Sequence, residues 1–429
     1  MPIGVPFLVL FDTFNLLISL RKMKNIFKNI GPGTLIAAAF IGPGTVTVCT
    51  IAGVQFGFTL LWAMVLSIVS TIVLQEMAAR LGLVSGKGLA ENVKKEISSP
   101  VVRTVALVLI LSAILVGNAA YEAGNISGSV LGVQTIFSNV ELSLYDLNFN
   151  LWSWLIGAIA FILLYLGNYK IIERSLIGLV VIMSLSFLIT AILTKPDIMA
   201  VLKGMFVPSF PKEGWLTIIA LVGTTVVPYN LFLHASLVKE KWQDVSSLKA
   251  ARKDVYISIA LGGVVSMAII VCAAAIQTTQ VSNASDLAKG LEPLFGSFSK
   301  YFLSLGLFAA GITSAITAPL AAAYVAKGCF GWNKGLKGRK FRMVWILILA
   351  LGVLFSSIGF KPIEIIKFAQ VANGLLLPII AGFLLWIVNK QTVLGSYKNS
   401  KLQNFLGFLI LVATVVLGTI SLLKVFKVL

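Results

Sequence analysis

The chain has 429 residues, of which 58% are hydrophobic and 12% charged, with a formal net charge of +18 and a mean hydropathy of +0.97. Soluble domains carry about 25% charged residues, so this composition excludes a water-facing globule of this size and makes lipid the natural solvent. Nucleic-acid binding is excluded as a partner class too, because Lys and Arg fall in short clusters between apolar runs, as in loops that flank membrane helices.

From the N-terminus, Val5–Leu20 is apolar, but no positive charge precedes it and no small-residue cleavage site follows, which argues against a signal peptide. It reads as an amphipathic or re-entrant lead-in, and Met23 is an alternative start. A bilayer core of about 30 Å needs roughly 20 apolar residues per helix. Runs of that scale predict eleven spans, near 32–55, 59–82, 101–127, 151–168, 174–194, 214–237, 255–278, 300–326, 342–358, 363–389 and 404–426. The expected class is an all-α integral membrane protein. Cys49, Cys272 and Cys329 are scattered through predicted helices, with spacing that suits neither disulfides nor zinc, and read as small apolar fillers.

The loops alternate in charge. Arg21, Lys22, Lys24 and Lys28 precede span 1; Arg80, Lys87, Lys94, Lys95 and Arg103 lie between spans 2 and 3; Lys170 and Arg174 lie between spans 4 and 5. Lys239, Lys241, Lys249, Arg252 and Lys253 lie between spans 6 and 7, Lys334 to Arg342 between 8 and 9, and Lys390, Lys398 and Lys401 between 10 and 11. The intervening loops are poorer in Lys and Arg, and that between spans 3 and 4 holds only Glu141 and Asp146. The positive-inside rule then predicts an inner (plasma) membrane protein with a cytoplasmic N-terminal segment (1–30) and the C-terminus outside.

Two spans carry interruptions. Gly42-Pro43-Gly44-Thr45 sits mid-span 1, and Gly223 to Asn230, with Pro228, breaks span 6. Proline removes a donor and clashes with the preceding turn, and glycine tolerates unwound backbone. In lipid such backbone is tolerated only where protein or a water-filled cavity satisfies it. Breaks five spans apart point to an inverted-repeat transporter with a midplane site: repeats at 31–194 and 214–389, and an additional span at 404–426.

At these residues the sequence resembles the NRAMP family of proton-coupled divalent-metal transporters. Gly31-Pro32-Gly33 opens span 1 as in that family; Gly57 with Leu60-Leu61-Trp62 opens span 2; Ala78-Ala79-Arg80-Leu81-Gly82, Ser85-Gly86-Lys87 and Leu89-Ala90 resemble its span 2–3 junction. Val227-Pro228-Tyr229-Asn230-Leu231-Phe232-Leu233-His234 resembles the family's Met-Pro-His-Asn-Leu-Tyr-Leu-His, and Gln370, Asn373 and Pro378 resemble its span 10. The resemblance implies a LeuT-type fold of five plus five helices with helices 1 and 6 broken, alternating access, and a divalent-metal substrate.

The departures fall on the site. Where the family's span 1 break carries Asp and Asn ligands, this chain has Gly42 and Thr45; the ligand methionine of span 6 is Val227 and the histidine after it Tyr229; the span 3 acids correspond to Asn118 and Tyr121, with Glu122 adjacent. What the resemblance leaves is backbone oxygen near Ala39 and Thr224, plus Gln370. Thr45, Thr224, Thr225, Tyr229, Asn230 and Gln370 offer neutral oxygens only. Manganese and iron favour carboxylate, imidazole or sulfur, and magnesium wants an oxygen octahedron. The expectation is therefore an atypical substrate or weak binding of a hydrated cation. The alternative is a small anionic or zwitterionic solute held by the N–H groups near Gly44 and Thr45, which no anionic side chain offsets. No cofactor is expected.

Weighed singly, His234, the one histidine, is a proton-linked or a packing residue. Glu122 is a coupling candidate or a solvated residue near the outer interface. Glu76 pairs structurally with Arg80 at i+4. Glu173 is structural, and Arg342 is either the counterpart of a family arginine in span 9 or a snorkelling loop charge. Trp62, Trp152, Trp154, Trp215 and Trp386 anchor span ends; Gly306 and Gly311 suit close helix packing. Losing the span 3 acids predicts weak or absent proton coupling. No phosphate loop, paired-carboxylate site or nucleophile constellation suggests an enzyme. The competing reading is a transport-dead sensor or scaffold, and a channel fits two offset breaks less well. Oligomeric state is not legible.

Overall fold

A computed structural model describes residues 41–144, 147–167, 170–276 and 281–425. The N-terminal segment, the opening of span 1 and Ala39 lie outside the described residues.

The principal helices are α1 (Pro43–Phe56), α2 (Leu61–Ser85), α3 (Pro100–Ile136), α4 (Leu151–Leu166), α5 (Lys170–Leu193), α6 (Trp215–Thr225), α7 (Pro228–Lys241), α8 (Leu248–Ala274), α9 (Ser299–Phe330), α10 (Arg339–Ser357), α11 (Pro362–Val388) and α12 (Lys401–Val425). Among the described residues nine helical segments, counting α6 and α7 as one, are long and apolar enough to cross a membrane, and the 16-residue α4 is a shorter apolar helix. Two boundaries depart from expectation. α3 runs on to Ile136, and α8 begins at Leu248, so Lys249, Arg252 and Lys253 lie on its first turns instead of in a loop. The connection after α3 is not featureless: Glu141–Leu144 and Leu147–Asn150 pair as an antiparallel hairpin.

The helices sort by solvent. The α6–α7 segment is almost wholly enclosed. α3 and α12 instead expose large apolar side chains such as Val101, Val105, Phe405 and Phe408, the surface a bilayer would cover. α3 packs along α9, α10 and α11; α8 lies against α1 and α2, α7 against α2, and α6 against α11.

Small residues set these distances. A Cβ on Gly311 would lie 2.7 Å from the Asn125 carbonyl oxygen, and one on Gly132 would lie 2.5 Å from that of Ser304, so α3 and α9 touch backbone to backbone. Gly306 receives Met183 of α5, whose Sδ would be 2.3 Å from an added Cβ. Trp62 and Trp152 donate their indole N–H groups to the Ser209 and Ser138 carbonyls, at 3.0 and 3.1 Å.

Buried charge ties the basic end of α2 to distant elements. Arg80, 1% exposed, donates to both oxygens of Glu76, at 2.9 and 3.1 Å, to the Tyr397 carbonyl at 2.6 Å and to Asn399 Oδ1 at 2.7 Å. Arg252 of α8 reaches the same carboxylate at 2.8 Å. The expected Glu76–Arg80 pair is thus the centre of a network joining α2, α8 and the α11–α12 connection. Arg342 places its guanidinium 4.6 Å from the Tyr165 ring centroid and donates to the Leu336 carbonyl, as a snorkelling charge does.

Candidate functional site

Two helix starts shape the centre of the molecule. Gly42 is extended (φ −104°, ψ −174°), and α1 begins at Pro43 in its first position, where a missing N–H costs nothing. Similarly, α6 stops at Thr225, Val226 and Val227 leave helical geometry, and Pro228 restarts the chain as α7. Val227 has ψ 120°, the extended conformation that a following proline favours.

Threonines join the start of α1 to the end of α6. Thr45 Oγ1, in the first turn of α1, lies 2.8 Å from Thr224 Oγ1, in the last turn of α6. Gln370 of α11 closes the third side. An added Cβ on Gly44 would lie 2.2 Å from its Nε2, and one on Gly223 would lie 1.9 Å from its carbonyl oxygen. Glycine at both positions is what lets α1 and α6 sit against this one residue. The structure thus brings together Gly44, Thr45, Thr224 and Gln370, with Gly42 at the N-cap of α1.

Polar groups on α11 and in the first turn of α7 are buried and incompletely satisfied. Gln370 is 1% exposed and its Oε1 has no partner; Asn230, in the first turn of α7, is 0% exposed, and neither its Nδ2 nor its Oδ1 has one. The Asn373 Nδ2, one turn along α11 from Gln370, is in the same condition. Buried polar groups normally find partners, and each exception calls for an explanation. Tyr229 sets its ring edge-on to Tyr121 of α3, centroids 5.4 Å apart, and Val227 is fully buried. Among the described residues no three His, Cys, Asp or Glu side chains converge as a metal site would require.

Other expected residues face elsewhere. Thr225 turns to α2, where its hydroxyl meets Ser67 and donates to the Leu221 carbonyl. Asn118 donates to the Ala318 carbonyl of α9 at 2.8 Å, a helix-to-helix tie. His234 Nδ1 lies 2.9 Å from Gln75 Oε1 of α2, while its Nε2 is buried and unpartnered. Glu122 is fully buried, which removes the solvated reading. It accepts from Asn125 at 3.3 Å through Oε2, and its other oxygen has no partner. Its Cγ would be 2.3 Å from a Cβ added to Gly352 of α10.

Ser67 and Gln75 were not foreseen as partners. They fall with Thr71 at i, i+4 and i+8 on one face of α2, and a polar stripe in an apolar span is a signal that the stripe faces the protein interior.

The profile of the Nramp family, described as natural resistance-associated macrophage protein-like, matches residues 33–424. A divalent metal cation transporter MntH of Caldanaerobacter subterraneus subsp. tengcongensis is 25% identical over 401 residues, 91% of each chain. The crystal structure of an Eremococcus coleocola manganese transporter superposes with a TM-score of 0.72 at 21% identity, covering 98% of this chain and 88% of that one. Mhp1, a nucleobase-cation-symport-1 family transporter, superposes with a TM-score of 0.54 at 13% identity over 92% and 93%. The fold is that shared by Nramp and LeuT-type transporters.

Proposed function

Since this chain belongs to the Nramp family of membrane transporters, we propose that it is a secondary transporter working by alternating access, whose midplane site binds a small polar organic solute, anionic or zwitterionic, through hydrogen bonds. In this reading residues 31–194 and 214–389 are two inverted repeats, with 404–426 added, and the N-terminus is cytoplasmic and the C-terminus outside, an orientation supported by the alternation of basic loops.

The observation that carries the reading is the unsatisfied polar set. Asn230 presents a donor and an acceptor, Asn373 a donor and Gln370 an acceptor, all buried. A cation uses acceptors alone. A solute with a carboxylate and an amino or hydroxyl group uses both. A divalent ion stripped of water also needs fixed negative charge nearby. Residues 31–45, including the part of span 1 outside the described residues, contain no Asp or Glu. Gly44 and the start of α1 supply the partial positive charge of a helix N-terminus. Of the coupling candidates Asn118 has no titratable proton and ties α3 to α9; Glu122, Tyr121 and His234 are the titratable ones, and weak or absent proton coupling is expected.

The second reading is a divalent cation that keeps its water. The MntH relative is named a divalent metal cation transporter, and Gln370 Oε1 and the Thr45 and Thr224 hydroxyls could accept from its hydration shell. Uptake by the purified protein in liposomes separates the two. The expected result is saturable uptake of an amino acid or small organic acid, with no competition by manganese or magnesium. Saturable manganese uptake with no response to organic solutes would reverse the assignment, and no uptake of any solute would favour the scaffold.

A further inference from the structure

At the end of the protein where the basic residues gather, α2, α7 and α9 and the short helix Leu89–Glu96 enclose a polar cavity of about 240 Å³. Lys87, Lys239 and Lys327 are among the residues that line it. Among the described residues none of these ammonium groups pairs with a carboxylate. Glu91 also lines the cavity, but its Oε2 accepts from the Gly88 N–H at 3.3 Å, capping the short helix. Ser236 and Tyr324 add hydroxyl groups to the lining.

The turn between α2 and the short helix is shaped to this cavity. Gly86 has φ +72°, and an added Cβ would lie 2.8 Å from the Lys239 ammonium nitrogen. A Cβ on Gly88 would lie 2.8 Å from Ser236 Oγ. The turn thus lies against α7, its left-handed backbone at Gly86 favouring glycine, and puts Lys87 and Lys239 at one hollow. The C-terminal ends of α2, α7 and α9 take up part of the positive charge, roughly half an elementary charge each. With Glu91 and the N-terminus of the short helix counted, about one positive charge is left over.

We propose that this cavity is a binding site, separate from the midplane, for a phosphate-bearing anion. Basic pockets between membrane helices on the cytoplasmic side take anionic lipid head groups, and a free phosphate compound presents the same chemistry. Either would fasten α2, α7 and α9 to one another at that end. Because α7 carries Tyr229 and Asn230 at its other end, occupancy would bear on the midplane site without touching it.

The test is the thermal unfolding midpoint of the full chain. Delipidated protein in detergent is titrated with inorganic phosphate against chloride at matched ionic strength. Protein in nanodiscs of phosphatidylcholine is compared with and without phosphatidylglycerol. A rise with phosphate identifies a free anion as sufficient; a rise only with phosphatidylglycerol identifies the lipid. In either case the double variant Lys239→Gln/Lys327→Gln should bind about thirtyfold more weakly. Glu91→Gln, which removes the lining carboxylate, should bind more tightly, and Lys334→Gln/Lys337→Gln, outside the cavity, should behave as the native chain. No rise with either probe, or a rise that survives in Lys239→Gln/Lys327→Gln, would overturn the proposal.

Discussion

Gly44 and Gly223 approach the same residue, Gln370, from opposite sides, and the same substitution should have different consequences at each. In Gly223→Ala the new methyl would start 1.9 Å from the Gln370 carbonyl oxygen and 2.7 Å from the Gly374 nitrogen. Both are backbone atoms of α11. Restoring an ordinary 3.4 Å contact requires α6 and α11 to part by roughly 1.5 Å. Overpacking of this kind costs about 1–3 kcal/mol. In Gly44→Ala the methyl starts 2.2 Å from Gln370 Nε2 and 2.7 Å from its Cδ, atoms that can swing aside. A displaced rotamer costs about 0.5–1.5 kcal/mol, and alanine in a helix returns about 0.5–1 kcal/mol relative to glycine. Gly44→Ala should therefore leave stability nearly unchanged while moving the Gln370 amide out of the site, and Gly223→Ala should lower stability. Thermal unfolding in detergent and solute binding, measured on both variants, check this. Equal stability losses, or a Gly44→Ala variant that binds solute as the native chain does, would refute the placement of Gln370 between the two helices.

Asn230→Leu removes a buried amide that has no partner on either atom, so it should stabilise the fold by about 1–3 kcal/mol while abolishing uptake; a destabilised variant with intact uptake would contradict both halves. Arg80→Ala strips Glu76 of its buried partner but leaves Arg252 in contact. The expected loss is about 3 kcal/mol, the lower end for a broken buried pair, and a double-mutant cycle with Glu76→Gln should return most of it as coupling. Glu122→Gln should leave solute uptake unchanged and liposome acidification absent in both forms; acidification by the native chain that the variant loses would establish Glu122 as a proton carrier.

The parts of this architecture that local chemistry dictates are legible in the sequence. Pro43 and Pro228 each suit the first position of a helix, so the starts of α1 and α7 are written in the chain, although Pro319 and Pro378 sit inside α9 and α11 and mark no break; apolar run length predicts most helices to within a few residues, the end of α3 and the start of α8 excepted. Long-range packing was not legible. Thr225 looked equivalent to Thr224, yet one turns to Ser67 and the other to Thr45, a difference set by which face of α6 meets α2. Glu122 reads equally as an outer-interface residue in the sequence, and the close packing of α3 on α10 at Gly352 is a long-range contact that no local pattern reports. Arg80 bonds to Asn399, 319 residues away, and no spacing rule reports that. The strands Glu141–Leu144 and Leu147–Asn150 are four residues each, too short for alternation to register in the sequence.

Electron paramagnetic resonance of manganese titrated with the purified protein tests most directly whether the centre of this protein can hold a bare divalent ion. Hydrated manganese gives a sharp six-line spectrum that is lost when the ion exchanges its water for protein ligands. Without a carboxylate or thioether at the meeting point of α1, α6 and α11, the spectrum should keep its full intensity at protein in excess of metal. Loss of signal in proportion to protein, one ion per chain and reversed by Gln370→Ala or Thr45→Ala, would contradict the account.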